Sequence, residues 1–288
     1  MKDKGIPFGN YSSCALVTGA AGGMGRIYAG MLAENGYNLI LVDISRERLE
    51  DTEREVRYMA EAVCEDRGID SGAFRVLSLP QDLSKPDAAS RIAAAAADSG
   101  FEVDILINNA GLFFFREIAS ADRKLLSAIM MVHAYTPLML CREFVPGMKE
   151  RGRGHILNIS SLAAWMPWPA VGMYANTKRF IKAFSRSLRI ECRGTGVSVT
   201  TACFGAVDTP LYPLKPSLRR LAVRIAVMIP PRKAAGKALR AMFKGRRMLM
   251  PGLVNHIFLP LVAVMPDWII GPVYSVVRKH FPSVCQNG

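Results

Sequence analysis

Thr18-Gly19-Ala20-Ala21-Gly22-Gly23-Met24-Gly25 lies between a short apolar run, Ser13 to Thr18 (SCALVT), and a segment with helical spacing, Met24 to Asn35. Strand, glycine-rich turn and helix in that order can cradle phosphates. The glycines let a pyrophosphate approach the backbone, and the helix N-terminus offers free N–H groups with partial positive charge. The stretch predicts a dinucleotide site, with a tight structural turn as the plain alternative.

The rhythm continues in both directions. Asn38 to Asp43 (NLILVD), Ala73 to Leu79, Val103 to Asn108, His155 to Ser160 and Val197 to Cys203 read as buried strands, and Arg246 to Met250 as a short seventh. The segments Arg46 to Asp66, Asp87 to Asp98, Asp122 to Arg151 and Gly172 to Arg193 read as helices between them. Such alternation predicts an α/β fold, a Rossmann-like doubly wound parallel sheet of seven strands with helices on both faces. Residues 1–252 form the expected catalytic domain and 253–288 a C-terminal extension with helical character.

The chain has 288 residues, half of them apolar, enough for one large core. Its six cysteines include no CxxC pair and no Cys/His cluster at metal-ligand spacing, so no metal site is expected. Reduced thiols and a start without a signal-peptide-like apolar stretch point to a cytoplasmic setting. The formal charge of +13 is uneven: Met1 to Pro210 carries 24 Lys/Arg against 23 Asp/Glu, Leu211 to Gly288 13 against Asp267 alone. Because the basic tail is strongly apolar between its charges, nucleic acid is not the expected partner. A cationic amphipathic stretch, Arg219 to Ile229, and the proline-broken Ile257 to Val277 fit peripheral contact with the cytoplasmic face of an anionic membrane. A dimer interface or lid is the other reading of the tail, and a homo-oligomer is the expected assembly.

Two further features carry chemistry. Asp43 closes the second strand, where a carboxylate can accept hydrogen bonds from the adenosine ribose and repel a 2′-phosphate. This favours NAD(H) over NADP(H), unless Arg46 or Arg48 folds back to receive the phosphate. Tyr174-Ala175-Asn176-Thr177-Lys178 puts a phenol and an ammonium on one helical face, and the cation stabilises the phenolate that acid/base work requires.

With its TGxxxGxG turn, Asn108-Asn109-Ala110-Gly111 and YxxxK in order, the chain resembles the short-chain dehydrogenases/reductases from about Ser13 to Met250. The resemblance implies a nicotinamide-dependent oxidoreductase interconverting a ketone and a secondary alcohol. Tyr174 is its acid/base, Lys178 its electrostatic and ribose-binding partner, and Ser161, thirteen residues before Tyr174, its substrate-oxygen donor. It also implies cofactor contacts from Gly19, Gly23, Met24, Gly25, Asp43, Asp82, Leu83, Asn109, Ala110, Gly111, Val207 and Thr209. Asn109, Gly111 and Asn158 are expected to be partly or mainly structural.

Two departures stand out. His133 occupies the place of a helix-kinking, water-anchoring asparagine, and is expected to substitute as a proton relay or to be structural. Phe204 replaces the proline of a Pro-Gly motif, which predicts a less fixed loop. Phe113, Trp165 and Trp168 suggest an apolar substrate wall, hence a lipid-like substrate of the 3-oxoacyl, ketosphinganine or steroid type. The alternative is a dinucleotide-binding scaffold or sensor at a membrane surface, impaired by the His133 and Phe204 changes.

Overall fold

In the computed structural model, the described residues are 5–114, 116–165, 169–208, 228–251, 261 and 263–280. The expected seven-stranded parallel sheet is present. Its strands are β1 (Cys14–Thr18), β2 (Asn38–Asp43), β3 (Val76–Pro80), β4 (Val103–Asn108), β5 (Gly154–Ser161), β6 (Val197–Phe204) and an edge strand, Met248–Leu249. Their order across the sheet is β3-β2-β1-β4-β5-β6-edge, so the winding reverses between β1 and β4. Ligands of doubly wound sheets bind outside the strand C-termini at such a reversal.

Helices α1 (Gly23–Ala33), α2 (Arg46–Arg67) and α7 (Pro231–Phe243) cover one face, and α3 (Ala88–Asp98), α5 (Thr136–Glu150) and α6 (Gly172–Glu191) the other; α4 (Arg123–Met130) precedes α5, and α8 (Asp267–His280) lies in the C-terminal extension. The near-continuous apolar runs of β1, β2 and β4 follow from burial on both faces. One apolar cluster joins Val17, Leu39 and Ile107 to α1 and α7; the other joins Leu16, Ile40 and Leu106 to α3 and α5.

Three expected boundaries shift. The third strand starts at Val76 because Ser71–Ala73 forms a short 3-10 turn. The helix expected over Asp122 to Arg151 is broken by a π-helical turn, Met131–Tyr135, which joins α4 to α5. The seventh strand is cut to two residues. After β6 a further two-residue strand, Ala206–Val207, pairs with Met228–Ile229. The domain boundary expected at 252/253 and most of Arg219 to Ile229 lie outside the described residues.

Candidate active site

Hydrogen bonds between two strand ends shape the glycine turn. Thr18 Oγ1 accepts from the backbone N–H groups of Asn109 (3.0 Å) and Ala110 (3.1 Å), while Asn109 Nδ2 donates to Thr18 O at 3.0 Å. This ties the end of β1 to that of β4. Gly25 sits so close to Gly19 that a Cβ would collide with the Gly19 carbonyl. Gly22 caps α1 without a side-chain hydrogen bond; Gly25 N and Arg26 N donate to Gly22 O, which leaves the N–H groups of Gly23 and Met24 for a ligand.

The turn opens on a cleft of about 420 Å³ walled by Gly19, Gly23, Met24, Asp43, Asn109, Ala110, Gly111, Tyr174, Lys178 and Val207, all expected from the sequence. Gly22, Arg48, Leu112, Ile159, Ser160, Phe204 and Gly205 complete it. The walls fit a dinucleotide: close-packed glycines and uncapped N–H groups at one end, a phenol and an ammonium at the other.

Asp43 Oδ2 accepts from Ala21 N (3.0 Å) and Oδ1 from Ser45 N (3.1 Å), so the carboxylate also braces the glycine turn. Arg48 folds back over it, where a Cβ on Gly22 would strike its guanidinium.

Tyr174 and Lys178 lie one turn apart on α6, both buried, with Lys178 Nζ 5.7 Å from the Tyr174 ring centre. Lys178 Nζ donates to Ile159 O (3.0 Å) at the end of β5. Burial pushes the ammonium down to about 8, opposed by the nearby Cys203. Ser160 Oγ donates to Lys178 O (2.8 Å), fixing α6 against β5, whereas Ser161 Oγ accepts from Ala163 N (3.1 Å). Ser160 walls the cleft; Ser161, the last residue of β5, is buried beside it.

His133 sits in the π turn and is 2 % exposed. Its Nε2 accepts from Leu112 N (2.8 Å), which assigns the proton to Nδ1; Nδ1 then donates to Thr177 Oγ1 (2.9 Å), and Thr177 donates to Tyr174 O (2.9 Å). Burial, reinforced by the Lys178 charge, holds the imidazole well below its usual range. Both ring nitrogens are therefore engaged by a neutral ring, and neither is paired with Lys178.

Several expected residues lie elsewhere. Asp82 Oδ1 accepts from Ser84 N and Oγ, Leu83 O accepts from Thr136 Oγ1, and neither residue walls the cleft. Gly25 lies beneath it. Phe113 meets the Tyr174 ring edge-on at 4.9 Å between centres. Trp165 does not wall the cleft; Lys182 Nζ stands 3.7 Å over its ring. Thr209 and Trp168 fall outside the described residues.

Phe204 departs from the loosened loop expected of it. It stays in β6, paired with Ser161, because its ring is buried in the core. The family resemblance selects Ser161 over Ser160 and gives Thr177 no role, although Thr177 stands inside the Tyr174–Lys178 interval.

A family model for short chain dehydrogenase matches residues 13–215. The 1-deoxy-11-beta-hydroxypentalenate dehydrogenase of Streptomyces exfoliatus is 31% identical over 200 residues, covering 68% of each chain. The very-long-chain 3-oxoacyl-CoA reductase of Rattus norvegicus is 28% identical over 262 residues, 88% of this chain and 76% of that one. A 7beta-hydroxysteroid dehydrogenase structure superposes with a TM-score of 0.74 at 22% identity, covering 92% of this chain and 98% of the other. A metagenomic short-chain oxidoreductase in complex with NADP gives 0.66 at 25% identity over 83% and 95%. The matching model spans the glycine turn, the Tyr174/Lys178 pair and most of the sheet that aligns them, and the relatives are named for chemistry at hydroxyl and oxo groups: this chain belongs to the short-chain dehydrogenases, oxidoreductases acting on CH–OH and C=O groups.

Proposed function

We propose that the cleft interconverts a ketone and a secondary alcohol on a hydrophobic, lipid-like substrate, with Tyr174 exchanging the proton at the substrate oxygen. The observation that carries this reading is the convergence of Tyr174, Lys178 and the glycine turn on one cleft, with the Phe113 ring set edge-on against the phenol. A nicotinamide cofactor, when bound, supplies or accepts the hydride. Gly19, Gly23, Met24 and the start of α1 would hold its pyrophosphate, and Lys178 its nicotinamide ribose. The Lys178 ammonium favours the phenolate when Tyr174 gives up its proton. The Ser161 hydroxyl, at the end of β5, accepts from Ala163 N and keeps its proton for the substrate oxygen, whereas Ser160 gives its proton to Lys178 O. His133 holds Thr177, and through it the backbone of Tyr174, so it is a positioning residue rather than a relay. Val207 walls the nicotinamide end.

For the cofactor, Asp43 favours NAD(H), but Arg48 stands over the same end of the cleft as a cation for a 2′-phosphate. With a 25% identical relative solved with NADP, we weigh the balance toward NADP(H).

The substrate class rests on the apolar Phe113 and on relatives named for oxoacyl and hydroxypentalenate chemistry. Oxidation of NADH and NADPH, followed against ketones of increasing chain length, tests it. Turnover that rises with chain length supports the reading; turnover confined to small polar carbonyls contradicts it. Cofactor binding without turnover on any ketone would favour the scaffold alternative.

We also propose that the C-terminal extension meets an anionic bilayer. Tyr274 donates to Glu117 and Ile270 is buried, so α8 is seated near the C-terminal end of β4, at the cleft's end of the sheet. Its other side presents Trp268 and Val276, and Val264 precedes it; Trp268 is 74% exposed and Val264 77%. Apolar side chains facing outward in a tail that carries 13 basic residues against one acid suit an interfacial helix. The stretch Arg123–Glu150 is long and apolar enough to cross a membrane, but it is the π-broken helix pair of the fold, 44% buried in its most apolar window.

A further inference from the structure

At the opposite end of β6 from the cleft lies a groove of about 590 Å³ with four arginines on its wall: Arg186, Arg189, Arg193 and Arg247. Val197 and Ser198, which open β6, form part of the groove, whereas Phe204, which closes the strand, walls the cleft. Seven residues at roughly 3.3 Å each separate the two by about 23 Å. The groove is therefore no extension of the dinucleotide site.

Among the described residues, no aspartate or glutamate contributes to its wall. Arg189 Nη1 donates to Val199 O (3.0 Å), which fixes that guanidinium against the sheet. Among the described residues no ion pair engages Arg186, Arg193 or Arg247. The plain explanation is a solvated helix end: α6 finishes here, and its C-terminal dipole attracts cations with about half an elementary charge. That accounts for Arg189 in the last turn. It does not account for Arg247, which arrives from a different element, or for four like charges placed together without an acid.

The frame around the arginines is built. Thr200 Oγ1 donates to Arg246 O (2.7 Å) and Thr201 N to Arg247 O (3.1 Å), pinning the turn before the edge strand to β6. The turn after α6 is closed by Thr195 N donating to Cys192 O (3.2 Å).

We propose that this groove binds a phosphate-bearing ligand. Guanidinium forks match phosphate oxygens in pairs, and two or more forks converging from different elements select a phosphate dianion or a pyrophosphate over a single carboxylate. The groove is larger than a bare phosphate needs and falls in the range of small-molecule sites. Ile190, 66% exposed on its wall, offers an apolar contact for the organic body that carries the phosphate. The phosphate can belong to a soluble small molecule or to a phospholipid headgroup.

Full-length protein is saturated with NADPH to block the cleft, then titrated with sodium pyrophosphate and with orthophosphate at fixed ionic strength, beside an R186Q/R247Q variant. Both substitutions are at exposed positions, and an R193Q single variant with the same readout guards against a folding defect in the pair. The expected result is pyrophosphate binding that the double variant weakens at least tenfold, while NADPH affinity stays within twofold. Sedimentation with phosphatidylserine and phosphatidylcholine vesicles separates the sources: if pyrophosphate fails but the double variant alone loses phosphatidylserine binding, the ligand is a headgroup at the same groove. If wild type and variants behave alike toward pyrophosphate and toward both vesicles, the proposal is overturned.

Discussion

His133 Nδ1 stands 2.9 Å from the hydroxyl of Thr177, which in turn donates to the backbone carbonyl of Tyr174. The π turn between α4 and α5 is thus bonded to the helix that carries the acid/base, and Leu112 N supplies the other end of the chain through His133 Nε2. The family's asparagine is absent, yet the helix break persists around a residue whose two nitrogens link the loop after β4 to α6.

Because burial keeps His133 neutral in the fold, the unfolded chain binds the extra proton below about pH 6.5. Wild-type stability should therefore fall as pH drops from 6.5 to 5, by no more than about 1.4 kcal/mol per pH unit from this group. His133→Leu should flatten that slope in urea melts. It should also lower kcat more than it changes NADPH affinity, because the Tyr174 backbone is released. An unchanged slope and an unchanged kcat would remove the positioning role.

Lys178 acts with the same sign at the alkaline end. Its ammonium is pushed down to about 8 in the fold but titrates near 10.4 when unfolded, so the unfolded chain binds more protons between those values. Relative to Lys178→Met, wild type should gain stability as pH rises from about 8 to 10, by at most about 3 kcal/mol. Using the difference between the two proteins removes the opposing trend of buried thiols such as Cys141 and Cys203, whose ionisation burial pushes upward. The same variant should lose both turnover and cofactor affinity. Loss of only one would contradict the double role.

Arg48→Gln should weaken NADPH binding about tenfold or more and leave NADH binding within about threefold, consistent with the loss of one charged hydrogen-bonded contact of about 1.5–3 kcal/mol. Fluorescence titration reads both. If wild type prefers NADH and Arg48→Gln changes neither affinity, the carboxylate of Asp43 governs the choice.

Trp268→Ser with Val264→Ser should reduce sedimentation with anionic vesicles at 0.5 M salt, where the apolar part of the attraction persists, and leave the circular dichroism spectrum unchanged. Unchanged vesicle binding, or a stable dimer that the double variant dissociates, would assign the face of α8 to a protein interface instead.

The parts of this site that could be read from the sequence are those written locally. The glycine turn needs only its neighbours to be recognised between a strand and a helix, and Tyr174 and Lys178 share a face through helical spacing alone. What escaped depends on contacts between distant segments. The π turn inserts one residue's worth of slack into a helix whose apolar period continues through it, so Asp122 to Arg151 read as unbroken. Trp165 follows a strand end as a substrate wall would, but Lys182 draws its ring along α6. Asp82 and Leu83 turn their bonds to Ser84 and Thr136 rather than to the cleft. Phe204 reads as a lost proline, while its ring belongs to the core.

The central claim is that Tyr174 exchanges the proton at the substrate oxygen, and Tyr174→Phe tests it with the smallest change in shape. Turnover of the best ketone from the chain-length series is measured by NAD(P)H oxidation, and cofactor binding by fluorescence, on the same preparation. Cofactor affinity within about twofold of wild type, with kcat reduced by about 10²–10⁴, is the predicted result. Near-normal kcat in that variant would contradict it.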